Sequence, residues 1–268
     1  MLVSVGRELL RFATMETRQK ILLGLLALAI PLSGCSEQPP AQSARQRPEA
    51  TAAAALDYPG ILQGQVVFDG PQIVESTLIA NTTDPQHCGT VQSLHNRIIS
   101  EPNRGIKNAI VALLDVPLPA DYQVPPSHLT IDNRNCQFQP RVTVLTTGSS
   151  IEVVNSDPVV HTVHLYGPFN LNASLGPGQS RALGTVKRVG TIAIKCDFHG
   201  WMQAFVGVDD HPFHAVSDVD GGFRIHSIPP GSYQLQAWHE AFGTKRVHVE
   251  IGADAPAQVT VQYGAESP

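Results

Sequence analysis

Short apolar runs rich in β-branched residues recur along most of this 268-residue chain, and each run ends at Gly, Pro, Asn or Asp. Runs of this kind between turn-forming residues are typical of β-strands. No segment shows a helical period of useful length, so the sequence predicts an all-β fold, a Greek-key barrel or sandwich. The predicted strands are GQVVFDG (64–70), AIVALLDV (109–116), RVTVLTTG (141–148), SIEVVNS (150–156), VVHTVHLYG (159–167), TVKRVGTIAIKC (185–196) and QAFVGV (203–208).

A second unit is predicted from the pattern after residue 209. Residues 217–264 again alternate between strand-like runs and turns, with DVDGG and IPPG as the turn sequences. We therefore expect a first domain over residues 59–209, N-terminal strands included, and a small β-sandwich over residues 210–268. The run D-x-D-G-x-F followed by IPPGSYQLQAWH resembles carboxypeptidase-regulatory-like, or transthyretin-like, modules, which implies an accessory role.

The N-terminus has the pattern of an export signal. Arg18 and Lys20 precede the apolar run ILLGLLALAI, and small residues lead to Cys35. The stretch LSGC resembles a bacterial lipobox, which implies that Cys35 is lipidated after removal of residues 1–34. Residues 35–58 are rich in Pro, Ala, Gln and Ser and are expected to form a disordered tether. The expected location is the periplasmic face of a bacterial membrane, inner or outer, or the cell surface, and a cleaved signal with an incidental Cys is the alternative.

The charge of the chain restricts its partners. The formal net charge is −5, and residues 1–34 carry more basic than acidic groups. An acidic protein is a poor match for nucleic acid, whose phosphates recruit Lys and Arg. We therefore expect no nucleic-acid partner, whereas a basic protein partner is compatible with the charge.

Four residues have the types and spacing of metal ligands. Cys196 ends an apolar strand, His199 and Met202 follow at intervals of three, and Met202 is the only methionine after residue 15. Side chains alternate along a strand, so His161 shares an inward face with Val163 while His164 is directed to solvent or a rim. A thiolate, two imidazoles and a weak thioether are the ligands of a blue-copper site, and a thioether suits zinc poorly. The alternative is a strand and turn in which the Met fills the core.

The pairing of PVVHTVH with CDFHGWM resembles the cupredoxins, and within them the plastocyanin and amicyanin group, over roughly residues 103–209. This resemblance implies a Greek-key cupredoxin fold, one type 1 copper held by His161, Cys196, His199 and Met202, and electron transfer with a redox partner protein. It also implies that His199 emerges at an apolar surface patch as the electron port. Thr162 stands where the family often has Asn, and its hydroxyl is expected to tie the ligand loops less rigidly. Phe198 and Gly200 replace the stiffer loop residues.

The remaining cysteines are candidates for a disulfide. If Cys35 carries lipid and Cys196 binds metal, Cys88 and Cys136 are left, and an exported location favours a bond between them. Two free buried thiols are the competing interpretation.

Several functions fit the predicted site. Electron transfer is expected first, and copper storage or delivery would suit the same soft ligands. An adhesion or scaffold role with accessory copper is a further alternative. We do not expect an enzyme, because the His-x-His and His-Cys-His elements that build further copper sites in oxidases are missing from the sequence.

Overall fold

The computed structural model describes residues 56–70, 77–94 and 103–264, all of which belong to one compact unit, Thr51–Pro268. The predicted signal segment 1–34, Cys35 and most of the predicted tether lie outside the described residues. Within the described part, no helix has both the length and the apolar character needed to cross a bilayer.

The described residues form eighteen strands and one helix of four residues, which confirms the predicted all-β fold class. Each of the seven runs predicted as strands overlaps an observed strand. In chain order the elements are β1 (Gly60–Asp69), β2 (Thr77–Ala80), α1 (Pro85–Cys88), β3 (Val91–Leu94), β4 (Ile110–Leu114), β5 (His128–Asn133), β6 (Phe138–Gln139), β7 (Val142–Thr146), β8 (Ser150–Asn155), β9 (His161–Tyr166), β10 (Leu171–Leu175), β11 (Ser180–Thr185), β12 (Gly190–Lys195), β13 (Gln203–Asp209), β14 (His214–Val216), β15 (Gly222–Ile228), β16 (Gly231–His239), β17 (Gly243–Ile251) and β18 (Ala257–Gly264).

Two sheets form what we call the site sandwich. One has the strand order β10-β9-β12-β13-β7, and the other has the order β11-β8-β5-β6. Strand β8 shows why they stack: its side chains alternate between half-buried and buried, with Ile151, Val153 and Asn155 inward. The opposing sheet contributes buried aliphatic residues from β9 and β12 to the same core, namely Val163, Leu165, Ile192 and Ile194.

Two other sheets form what we call the carrier sandwich. The strands that belong to it correct the predicted domain boundary at residue 209. Strand β1 lies between β15 and β18, and β4 lies between β14 and β16. By pairing, β1 and β4 therefore join the C-terminal strands and not the predicted first domain of residues 59–209. Buried residues of all these segments share one core, including Leu62, Leu113, Leu235, Val261 and Tyr263. The resemblance of this sandwich to carboxypeptidase-regulatory-like modules stays a prediction.

The two sandwiches contact each other through a small apolar cluster and an ion pair. Ile110 of the carrier sandwich packs with Val142 and Phe205 of the site sandwich. Arg141 pairs with Glu240, and Arg141 also donates to the Gln203 carbonyl oxygen at 2.9 Å. The side chains of the pair are mostly buried, so each charge depends on the other for compensation.

A short segment, residues 77–94, covers part of the site sandwich. It consists of β2, α1 and β3, and its Ile79 and Leu94 pack against the core of that sandwich. A disulfide bond joins Cys88 at the end of α1 to Cys136. The segment is therefore attached covalently to the sandwich at the point where the helix ends.

Candidate metal centre

The sheet topology brings together residues that lie 35 positions apart. Strands β9 and β12 are antiparallel neighbours, with His164 opposite Lys195. His161 begins β9 and Cys196 follows the end of β12. Because the two strands are antiparallel, both residues lie at the same end of the strands. The loop after Cys196 turns back tightly, because the Met202 N–H donates to the His199 carbonyl at 2.9 Å and the Cys196 N–H donates to the Met202 carbonyl at 3.3 Å.

Three donor atoms converge in this loop. The Nδ1 atoms of His161 and His199 lie 3.1 Å apart, and the Cys196 Sγ lies 3.9 Å and 3.6 Å from them. A triangle with these sides has a point about 2.1 Å from all three atoms, which matches the ~2.0–2.3 Å bonds that a metal makes with imidazole and thiolate. His161 and His199 are fully buried and Cys196 is 4% exposed. The donor set therefore fits a single small metal ion.

Met202 is the fourth residue of the predicted set. It is 1% exposed and belongs to the same core cluster as Cys196. Its backbone closes the loop that carries His199. Its role as an axial ligand stays a prediction.

Both imidazoles have their outer nitrogen bound by a carboxylate. His161 Nε2 lies 2.9 Å from Asp157 Oδ2, and His199 Nε2 lies 3.2 Å from Asp84 Oδ2. Since an ionised carboxylate only accepts hydrogen bonds, each Nε2 carries the proton and each Nδ1 offers its lone pair inward. Burial lowers the pKa of both histidines, although the carboxylates oppose this effect. Neutral rings with free Nδ1 atoms are the state that binds metal.

Asp157 is held in its charged form by its surroundings. Burial alone would raise its pKa, but four hydrogen bonds outweigh that effect and lower it. The donors are the Cys136 N–H at 2.8 Å, the His87 side chain at 3.1 Å, the Asn135 N–H at 2.7 Å and His161. This carboxylate can therefore orient His161 without taking up a proton itself.

Thr162 contacts the thiol directly and ties the two ligand segments together. Its N–H lies 3.4 Å from the Cys196 Sγ and its hydroxyl oxygen 3.7 Å. The same hydroxyl accepts the Asp197 N–H at 2.6 Å. Thr162 therefore joins the start of β9 to the segment that follows Cys196.

His199 does not reach the surface, and the expectation of an exposed electron port at this residue is therefore corrected. The side chain is fully buried because Asp84 covers its outer nitrogen and Trp201 packs beside it, with ring centroids 5.0 Å apart. Trp201 is itself buried and donates to the Cys136 carbonyl at 3.0 Å. Asp84 and Asp157 were missed by sequence reasoning. The Cys88–Cys136 pairing was the one signal that linked residues 77–94 to this region.

Two neighbouring histidines have other roles. His164 lies at the surface, as its strand position predicted, where its Nδ1 is 3.1 Å from an Asp197 oxygen. His87 forms a close group with Asp157 and Cys136. The Cys136 sulfur is bonded to Cys88, so this second group has no thiolate to offer a metal.

The fold and the donor set define a β-sandwich protein with a buried candidate metal centre of two histidines and one cysteine. Among solved structures, the chain is similar to the following three proteins. A copper-containing nitrite reductase from Thermus scotoductus SA-01 matches at 20% identity and a TM-score of 0.30, over 36% of this chain and 26% of that one, so the chain spans about a quarter of the reductase. A purple cupredoxin from Nitrosopumilus maritimus matches at 20% identity and 0.27, over 31% and 99%. A Cu(I) amicyanin variant matches at 17% identity and 0.27, over 37% and 98%. No protein-family model and no curated protein matches the chain.

Proposed function

We propose that this chain is a type 1 copper protein that transfers electrons, with His161, Cys196, His199 and Met202 as the ligands of one copper. The single observation that carries the proposal is the convergence of two Nδ1 atoms and one Sγ atom in a buried loop. Thiolate and imidazole ligands suit both copper and zinc, and a thioether as the fourth ligand favours copper over zinc. Bound copper would supply one-electron chemistry by alternating between Cu(I) and Cu(II).

The residues around the ligands support fast electron transfer. Asp157 and Asp84 fix the orientation of the two rings, and Thr162 fixes the segment that follows Cys196. Ligands that are held this way move little when the charge of the metal changes. A rigid, water-excluding site keeps the reorganisation that accompanies each electron small.

Burial favours an electron shuttle over a protein that delivers copper. A protein that hands copper to an acceptor must expose a ligand to the competing group, whereas His161 and His199 are fully buried and Cys196 is 4% exposed. We therefore expect slow copper exchange. A rapid transfer of copper to a weak chelator would instead support delivery.

The cellular setting of this proposal comes from the sequence. A lipid on Cys35 would anchor the protein at the periplasmic face of a bacterial membrane. The formal net charge of −5 supports a basic redox partner protein. Labelling of the expressed chain with a fatty-acid analogue tests the anchor, with Cys35→Ala as the unlabelled control.

A visible spectrum tests the copper site. Residues 36–268 are mixed with Cu(II), and an intense thiolate-to-copper band is expected. It should be lost in Cys196→Ser and in His161→Ala but kept in His164→Ala, which removes a surface histidine of the same strand. A wild-type protein that stays colourless, or that prefers Zn(II) to copper in competition, would contradict the proposal.

A further inference from the structure

One short turn outside the ligand strands interacts with both histidines of the candidate metal centre. The turn runs from Asp84 to Cys88. Its Asp84 Oδ2 binds His199 Nε2 at 3.2 Å, and its His87 Nε2 lies 3.1 Å from Asp157 Oδ1, while Asp157 Oδ2 binds His161. The two imidazoles are therefore held from one segment, directly in one case and through Asp157 in the other.

The turn has its own internal support. The Asp84 carbonyl accepts the N–H groups of His87 and Cys88 at 3.0 Å and 2.8 Å. Cys88 is bonded to Cys136, whose N–H donates to Asp157 at 2.8 Å. The covalent link thus fixes Asp84 and Asp157 relative to each other.

Asp84 suits this position for two reasons. Its backbone is left-handed, with φ of 48°, which Asp and Asn tolerate better than other residues that carry a side chain. Its carboxylate makes no capping hydrogen bond to the helix that follows. The side chain is directed instead at His199.

From these contacts we infer that the Asp84–Cys88 turn is the positioning element of the metal centre, in which Asp84 holds His199 and adds a negative charge next to it. The inference rests on the proposed function and deepens it, because it names the residue that adjusts the relative stability of the two copper states. A carboxylate on Nε2–H increases the electron donation of the ring and favours the more positive state. Asp84 is the better residue to test, since Asp157 accepts four donors and its loss would disturb the fold.

Two substitutions separate hydrogen bonding from charge. Asp84→Asn keeps an acceptor and the left-handed backbone but removes the charge. Asp84→Gly permits the same backbone and removes the acceptor altogether. Asp115→Asn is the matched control, because Asp115 is an exposed aspartate with φ of 54° outside the site.

The first measurement is the reduction potential of the copper-loaded protein. Asp84→Asn and Asp84→Gly should both raise it, with the ratio of Cu(II) to Cu(I) affinity falling about tenfold, or ~59 mV for one electron. Asp115→Asn should leave it at the wild-type value. An unchanged potential in both Asp84 variants would overturn the inference.

The second measurement does not depend on copper. In the Zn(II)-loaded protein, solvent exchange of the His199 Nε2–H is followed by NMR, with the His161 Nε2–H and the Trp201 Nε1–H as internal references. Exchange at His199 alone should be about tenfold faster in Asp84→Gly and near wild type in Asp84→Asn, because the Asn amide oxygen still accepts the hydrogen bond that protects this proton. Equal exchange in all variants would refute the positioning role. If the wild type shows no thiolate-to-copper band while this NMR pattern is seen, the proposed function fails and the positioning role stands.

Discussion

Thr162 Oγ1 accepts the backbone N–H of Asp197 at 2.6 Å, so the residue after His161 is bound to the residue after Cys196. Replacement by Val removes the hydroxyl at nearly constant shape and leaves that N–H without its partner. The free energy of unfolding of the metal-free protein should fall by roughly 1–2 kcal/mol, and copper should dissociate faster. Denaturant unfolding and chelator competition measure the two effects. Thr162→Ser, which keeps the hydroxyl, should have the stability and copper release of the wild type. A Val variant with wild-type values would show that this hydrogen bond does not hold the two segments together.

Met202 provides a test of the fourth ligand. Met202→Leu conserves volume in the core, so the free energy of unfolding without metal should change by less than about 1.5 kcal/mol. A thioether donates weakly to Cu(II), so its removal should raise the reduction potential and shift the visible band. Redox titration and absorption spectra of the copper-loaded variant check this. A potential and spectrum equal to those of the wild type would mean that Met202 only fills the core.

The Cys88–Cys136 bond should contribute to both stability and copper retention. It closes a loop of 48 residues, and in the double variant Cys88→Ser/Cys136→Ser the free energy of unfolding should fall by roughly 2–4 kcal/mol. Asp84 is then no longer fixed against His199, so copper loss to a chelator should accelerate. Asp115→Asn should release copper at the wild-type rate. Release that is unaltered in the double variant would show that the turn stays in place without the bond.

His239 should make the carrier sandwich sensitive to acid. Burial lowers the pKa of His239 to about 4 from an ordinary value of 6.5. Below pH 6.5 the unfolded chain takes up a proton that the folded chain refuses until about pH 4, so stability present at neutral pH is lost as the pH falls through this window. The loss amounts to about 3 kcal/mol. In His239→Gln the slope of unfolding free energy against pH should flatten over this range; an unchanged slope would assign the acid sensitivity elsewhere.

The pairing of β1 and β4 with the C-terminal strands predicts how fragments behave. Residues 210–268 alone lack the strands that lie between β15 and β18 and between β14 and β16. This fragment should show no cooperative unfolding transition by circular dichroism. A chain of residues 56–268 in which a short Gly-Ser linker replaces residues 127–209 keeps those strands and should unfold cooperatively. Cooperative unfolding of the short fragment would contradict the importance of the pairing.

Local patterns predicted the strands and the inward face of His161, because alternation and ligand spacing are properties of neighbouring residues. The place of β1 in the molecule could not be predicted in this way. Its alternating pattern indicates a strand but does not identify a partner, and it pairs Leu62 with Ala257 far along the chain. Asp84 escaped detection for the same reason, since it lies far from the ligands in sequence. Asp157 lies only four positions before His161, but that spacing alone does not predict that its carboxylate binds the ring.

The β1–β18 pairing affects the order in which the two sandwiches can fold during synthesis. The first described strand of the chain pairs with the last, while every strand of the site sandwich lies between them in sequence. During synthesis, the site sandwich can be completed while β1 is still unpaired, because β15 and β18 are made later. Such long-range closure is slow to form. The metal-binding half can therefore be a finished structure before the half that carries it has closed.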